Sequence, residues 1–162
     1  ASDVYKRQMN DKRSLQDIHA PKSICFGCGP LNENGLKIKS YKYKNGLRMS
    51  FHPKKEHQAF PGVLNGGIIG TLFDCHGNWT AAMSIFESNN QKHFPATVTA
   101  FFEVQLLKPT PVDSKIEIFS QIITSSKNKA KVELELFSKN DICAKSIGVF
   151  VSVKEGHPAF YR

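Results

Sequence analysis

The chain has 162 residues, of which 40% are hydrophobic, and its formal net charge at pH 7 is +8. This length suits one domain with its own core, and no apolar stretch approaches the roughly 20 residues that a membrane helix needs. Because the N-terminus also has no apolar signal-peptide core, we expect a cytoplasmic protein without a membrane partner. Residues 1–8 differ in character from the rest and resemble a translated adaptor remnant, so Met9 is the expected start.

Most of the net positive charge lies in the first 60 residues. A basic segment of this kind suits nucleic acid, an anionic membrane or a phosphate-bearing ligand such as coenzyme A. The lysines of residues 37–44 alternate with other residues, as they do on a half-exposed strand, and beside them only two tyrosines provide stacking surfaces. We therefore favour a solvated strand face and predict no nucleic-acid partner.

The first predicted elements are short. Residues 14–19 indicate a helix, and the Gly-, Asn- and Pro-rich residues 25–35 indicate a loop. Apolar and charged residues alternate over 36–43, and Asn45-Gly46 is typical of a tight hairpin turn into a second strand over 47–52.

The rest of the chain predicts one long helix followed by four strands. Residues 65 to about 84 are apolar with few strand signals, which indicates a buried helix. The predicted strands are 98–107, 115–124, 130–138 and 144–154. Two strands, a helix and a four-stranded meander predict an α+β domain with one antiparallel sheet. We place this domain at residues 25–162, after an N-terminal extension over residues 1–24.

The start of the long helix contains the residues that point to chemistry. Asn65 is a good helix N-cap, and Gly66 and Gly67 leave the first backbone N–H groups unshielded by side chains. Such a helix start favours a developing negative charge, for example the oxyanion of an attacked carbonyl. Asp74 lies in an otherwise uncharged stretch, and a buried carboxylate needs a reason because leaving it unpaired is costly. The alternative is a Gly-rich helix start with a locally bonded Asp.

The spacing of these residues limits how they can cooperate. Gly66 and Asp74 are eight residues apart, which separates them by roughly 12 Å along one helix. Both cannot touch one carbonyl, so a shared site would need two copies of the helix, most simply in a C2 dimer.

Three segments resemble a known family. The stretch from Phe60 to Asp74 resembles the helix of hotdog-fold acyl-CoA thioesterases, particularly the PaaI-like branch, whose motif is His-Gly-Gly with a carboxylate seven residues after the second glycine. Gly66, Gly67 and Asp74 match this motif, whereas the family's His is Asn65 here. Residues 97–111 resemble the following strand, and residues 25–36 resemble an N-terminal stretch of one PaaI-like subgroup.

The resemblance implies a hotdog fold, in which an approximately six-stranded antiparallel sheet wraps one long central helix. It also implies hydrolysis of acyl-CoA by a homodimer or a dimer of dimers, without a cofactor or metal. The Gly66 N–H would polarise the thioester carbonyl, and Asp74 of the partner subunit would act as base or nucleophile. The remaining expected site residues are Asn65 as the helix cap, Thr99 for positioning the water, and Gly67, His57 and Phe60 for substrate binding.

Two other functions stay open at this point. A 3-hydroxyacyl-CoA hydratase or dehydratase shares the fold and a His-x-Phe-Pro-Gly-like lead-in, which residues 57–62 echo superficially. Such an enzyme pairs a His with the helix carboxylate. A non-catalytic acyl-CoA sensor would bind without turnover, and Asn65 in place of His is compatible with that.

Other chemistry-bearing residues have plainer interpretations. Cys25 and Cys28 form a single C-x-x-C, for which we favour a small buried turn over a metal or redox site; His19, His52, His57 or His76 could complete a metal site only through the fold. Cys75 and Cys143 are expected as core thiols.

His57 is favoured as a surface-loop residue. The aromatic side chains of Phe73, Trp79, Phe86 and Phe101 are favoured as core rather than as the lining of an acyl tunnel.

Overall fold

The computed structural model describes residues 12–161. The prediction that residues 1–8 are non-native lies outside this range. In chain order the elements are α1 (Leu15–His19), β1 (Tyr41–Tyr43), β2 (Gly46–Phe51), a 3-10 turn (Lys55–His57), β3 (Gln58–Phe60), β4 (Val63–Leu64), α2 (Gly66–Ser88), β5 (Thr97–Leu106), β6 (Ile116–Ser125), β7 (Lys129–Ser138), β8 (Asp141–Ser152) and a second 3-10 turn (Pro158–Tyr161).

Six strands form one antiparallel sheet in the order β1-β2-β6-β7-β8-β5, and β3 and β4 form a separate small ribbon. The predicted α+β fold, with a six-stranded antiparallel sheet and one long helix, is confirmed. Strand β5 lies at one edge of the sheet and pairs with β8. No helix in the described range is both long and apolar enough to cross a membrane.

The part of helix α2 from residue 79 to 85 is buried on all sides, and the helix packs against strands β2 and β5 to β8 of the sheet. Every residue from 79 to 85 is buried, a pattern that only an enclosed helix shows. Phe150 of β8 is fully buried, and a Cβ atom on Gly77 would lie 2.6 Å from its ring. The glycine therefore permits close contact between helix and sheet.

Residues 14–40 cover the part of α2 that the sheet leaves free. Ser14 caps α1 by accepting a hydrogen bond from the Asp17 N–H. Leu15 and Ala20 join the main hydrophobic core, and the Gln16 side chain exchanges two hydrogen bonds with Ser40.

The structure corrects two details of the predicted hairpin. Strand β1 contains only residues 41–43, because Lys37 has a φ of 54° and the chain from 36 to 38 bonds to the Phe26 and Gly27 carbonyls. The apolar residues among 36–40 are therefore buried against the preceding loop and do not belong to a strand. The turn lies at Lys44-Asn45, one residue earlier than predicted, since Gly46 already pairs with Tyr43.

The other boundaries lie close to their predicted positions. Helix α2 continues to Ser88, four residues beyond the predicted end near Ser84, and the four later strands each overlap their predicted ranges. The sequence did not predict the ribbon of β3 and β4. It forms because Gly62, with a φ of 81°, reverses the chain between them.

Candidate active site

The N-terminus of α2 is capped by Asn65, as the sequence predicted. The Asn65 Oδ1 accepts a hydrogen bond of 2.7 Å from the Gly67 N–H. The Gly66 N–H, in contrast, donates no hydrogen bond within the described part of the chain. It remains available to an oxygen atom at the positive end of the helix dipole.

The lead-in to α2 holds the cap in place. The Asn65 N–H donates to the His57 carbonyl at 2.9 Å, and the His57 ring lies 5.5 Å from that of Phe51. The His57 Nδ1 accepts a hydrogen bond from the Lys54 N–H at 3.0 Å, so this side chain stabilises its own turn. Phe60 is 70% exposed. Roles for His57, Phe60 and Gly67 in substrate binding stay predictions.

The structure brings two of the predicted catalytic residues together. Asp74 is the ninth residue of α2, and Thr99 is the third residue of β5. The Thr99 hydroxyl donates a hydrogen bond to Asp74 Oδ1. A register shift interrupts the pairing of β5 with β8 between Thr99 and Phe101, and such bulges re-aim strand side chains. Asp74 and Thr99 thus form one polar unit between helix and sheet.

Two further polar residues support this pair, and the sequence analysis missed both. The Asn78 Nδ2 donates to Thr99 Oγ1 at 3.0 Å, and Thr97 Oγ1 donates to Asn78 Oδ1 at 2.6 Å. The signal was present in the spacing: Asp74 and Asn78 are four residues apart on one helical face, and Thr97 and Thr99 are two apart on one strand face. The two faces meet because α2 packs on β5.

The environment of Asp74 favours its neutral form. Burial raises the pKa of this carboxyl above the ordinary value of 3.8, the Thr99 hydrogen bond acts in the opposite direction, and the negative charge of a Cys25 thiolate would raise the pKa further. A carboxylate with a raised pKa is a stronger base than an exposed one. Partial burial and a hydroxyl donor are therefore consistent with a carboxylate that handles a proton.

Gly66 and Asp74 face opposite ends of the same strand. A Cβ atom on Gly66 would lie 3.3 Å from Leu106 at the end of β5, whereas Asp74 contacts Thr99 near its start. Helix α2 and strand β5 thus run in opposite directions. One chain brings Asn65, Gly66 and Gly67 together, and separately Asp74 with Thr99, but it does not join the two groups.

A group of thiols lies beside Asp74 on α2. The sulfur atoms of Cys25, Cys28 and Cys75 all lie within 4.8 Å of one another, and all four cysteines of the chain are free. Cys25 is exposed, which differs from the expected buried turn, and Cys75 joins the C-x-x-C pair instead of packing as an isolated core thiol. Cys143 is buried elsewhere in the core.

The predicted aromatic core is found only in part. Phe73 and Trp79 are buried at 1% and 3% exposure, in agreement with a core role, whereas Phe101 is 53% exposed on β5. His76 is fully buried and shares a 2.8 Å hydrogen bond with Ser40.

Comparison with solved structures identifies the family. A thioesterase superfamily protein from Shewanella loihica is 30% identical, with a TM-score of 0.64, and the alignment covers 82% of this chain and 96% of that one. The chain belongs to the thioesterase superfamily. Its resemblance to PaaI-like hotdog thioesterases is confirmed. No protein-family model and no curated protein sequence matches it.

Two more distant structures show the same fold. The Escherichia coli PaaI protein from the phenylacetic acid degradation operon is 12% identical, with a TM-score of 0.62, over 74% of this chain and 81% of that one. A hypothetical thioesterase from Streptococcus pneumoniae, solved with coenzyme A, is 14% identical, with a TM-score of 0.60, over 72% and 85%.

Proposed function

We propose that this protein hydrolyses acyl-CoA thioesters to a free acid and coenzyme A. The observation that carries the proposal is the contact of Asp74 with Thr99, a half-buried carboxylate with a hydroxyl donor from β5; Asp74 lies on the same helix as the free Gly66 N–H. Superfamily membership and the coenzyme A found with the S. pneumoniae structure support the substrate class. The basic N-terminal half suits the phosphates of coenzyme A.

In the proposed reaction, the Gly66 N–H donates a hydrogen bond to the thioester oxygen and stabilises the charge that develops there. Asp74 of the partner subunit takes a proton from water, which attacks the carbonyl carbon; alternatively, its carboxylate attacks directly. Thr99 orients the attacking group. The carbon–sulfur bond then breaks, and the proton that Asp74 took from water passes to the leaving sulfur, so coenzyme A leaves as the thiol. Where the carboxylate attacks directly, water then hydrolyses the acyl–Asp74 anhydride to the free acid and supplies that proton.

The opposite directions of α2 and β5 support a site shared between two subunits. Strand β5 is an edge strand with exposed apolar side chains, among them Phe101, Phe102 and Leu106. Pairing two β5 strands antiparallel about a two-fold axis near Phe102 would bring the Leu106 end of one strand beside the Thr99 end of the other. Because Gly66 lies at Leu106 and Asp74 at Thr99, the donor of each subunit would meet the carboxylate of its partner.

A complementation experiment tests the function and the shared site together. Gly66→Pro removes the N–H at the first helical position, where proline is well tolerated, and the extended backbone of Asn65 (φ −63°, ψ 133°) suits a following proline. Gly66→Ala, which keeps the N–H, is the matched control. Activity is measured as thiol release from a series of acyl-CoA chain lengths.

We expect Gly66→Pro and Asp74→Asn each to be nearly inactive. Unfolding and refolding them together should restore up to about a quarter of the native activity, because mixed dimers contain one intact site. Failure of the mixture to recover activity would contradict the shared site. If native protein binds acyl-CoA but releases no thiol at any chain length, the proposed hydrolysis is wrong and a non-catalytic acyl-CoA sensor is favoured. Hydration of crotonyl-CoA would indicate a hydratase.

A further inference from the structure

The thiols of Cys25, Cys28 and Cys75 converge although Cys75 lies 47 residues beyond Cys28 in the sequence. Cys25 and Cys28 lie in the loop before β1, and Cys75 lies on α2. The Cys25 and Cys75 sulfur atoms are 3.8 Å apart, and the Cys28 sulfur lies within 4.8 Å of both. No other histidine, cysteine or acidic ligand atom in residues 12–161 belongs to this group.

Two glycines of the loop permit this convergence. The Gly29 N–H donates to the Cys25 carbonyl at 2.8 Å, and a Cβ atom on Gly29 would lie 2.3 Å from the Cys25 nitrogen. The turn is therefore tight enough to place both of its sulfur atoms on one side. A Cβ atom on Gly27 would lie 2.3 Å from the Cys75 sulfur. Glycine at this position lets the loop approach the helix.

The 3.8 Å separation of the Cys25 and Cys75 sulfur atoms matches a metal site. Zinc–thiolate bonds of about 2.3 Å in a tetrahedron place neighbouring sulfur atoms about 3.8 Å apart. The Trp79 Nε1–H donates to the Cys28 sulfur at 3.3 Å, and a fixed N–H donor of this kind orients a ligating thiolate. Cys28 and Cys75 are buried while Cys25 is exposed, so a fourth coordination position would face solvent.

We propose that Cys25, Cys28 and Cys75 bind one thiophilic ion of the Zn²⁺ type, with water or another small ligand in the fourth position. Each thiol coordinates as a thiolate, and its proton passes to the solvent. The ion ties the loop of residues 25–28 to α2 directly beside Asp74. The sequence predicted no metal because Cys75 lies 47 residues beyond Cys28, and nothing in a single C-x-x-C identifies the third ligand.

The test uses the full chain, prepared metal-free and reduced, and titrated with Zn²⁺ and with Co²⁺. Cys25→Ser removes the exposed ligand with the least effect on the core, and Cys143→Ser, which removes a buried thiol outside the group, is the matched control. Circular dichroism establishes that each variant is folded. Binding of Co²⁺ by thiolates is read from its sulfur-to-metal charge-transfer absorption.

We expect one ion per chain, thiolate charge-transfer absorption with Co²⁺, and a higher Tm in the presence of Zn²⁺. Cys143→Ser should retain all three properties, and folded Cys25→Ser should bind at least ten-fold more weakly. The proposal is overturned if native protein binds no stoichiometric ion, or if Cys25→Ser binds as tightly as the control. In a further test, Zn²⁺ is added to the reduced protein before it is exposed to air. If two of the three cysteines still form a disulfide, the proposal is also overturned. None of these readouts depends on the proposed thioesterase activity.

Discussion

The Thr99 hydroxyl donates a hydrogen bond to Asp74 Oδ1 across the contact between β5 and α2. Asn78, one helical turn after Asp74, donates in turn to the Thr99 oxygen. The hydroxyl of Thr99 is thereby oriented with its hydrogen toward the carboxylate, because its oxygen already accepts from an amide. This relationship, together with the free Gly66 N–H, leads to the following predictions.

Asp74→Asn should lower kcat for acyl-CoA hydrolysis by at least about 100-fold, because the amide provides neither a base nor a nucleophile. The fold should remain intact, since the Asn oxygen can still accept from Thr99. Asp113→Asn is the control, because that carboxylate is exposed and distant in sequence from α2. Comparable loss in both variants, or near-native turnover by Asp74→Asn, would refute the assignment.

Thr99→Val should move the acid limb of the kcat/KM profile to higher pH. The Thr99 hydrogen bond lowers the pKa of Asp74, whose burial already raises it above 3.8, so its removal raises that pKa further. Activity that requires the carboxylate is present above this pKa and lost as the pH falls through it. The loss of kcat at the optimum should be about ten-fold or less, because Asp74 is ionised there in both proteins and the change removes only one hydroxyl donor. A profile measured with chelator present checks this, and an unshifted limb would contradict it.

Asn65→Ala should destabilise the start of α2 by roughly 0.5–2 kcal/mol, because the Gly67 N–H loses its side-chain partner. It should also reduce activity by displacing the Gly66 N–H. Asn65→His, which introduces the residue of the family motif, should be tolerated and add a limb near pH 6.5 that the native profile lacks. Denaturant unfolding and pH–rate profiles measure both effects.

Gly77→Ala and Gly70→Ala should have opposite effects on stability, although both lie within α2. A Cβ atom on Gly77 would lie 2.6 Å from the buried Phe150 ring, so we expect a loss of about 1–3 kcal/mol. Nothing lies within 4 Å of a Cβ atom on Gly70, and alanine there should stabilise the helix by up to about 1 kcal/mol. Chemical denaturation of the two variants gives the comparison.

His76 should make the fold less stable in acid. Burial lowers its pKa to about 3 from 6.5, so the unfolded chain takes up the proton first as the pH falls. Its contribution is therefore fully present above pH 6.5 and is lost progressively toward pH 3, with a slope of about 1.4 kcal/mol per pH unit. His76→Gln should reduce that slope when unfolding is measured from pH 7 to 4 with chelator present. An equal slope in both proteins would rule out this contribution.

The sequence by itself determined the α+β class and the position of nearly every element. Hydrophobic alternation indicates which side of a strand is buried, and a long apolar run that begins after Asn65 indicates an enclosed helix. Both patterns are local, so they can be recognised in the sequence. The same locality made Asn65, Gly66 and Asp74 recognisable as candidates, from their residue types at a helix start and from the motif that they resemble. It also explains the error at residues 36–40, where alternation was present but the partner was a loop.

The tertiary structure alone decided which side chains meet. The contacts of Asp74 with Thr99, of Asn78 with Thr97, and of Cys75 with Cys25 each join segments that are 19 to 50 residues apart. Such contacts depend on how α2 packs against β5 and against the N-terminal loop. That packing arises from the shape of the whole core, which no local pattern specifies.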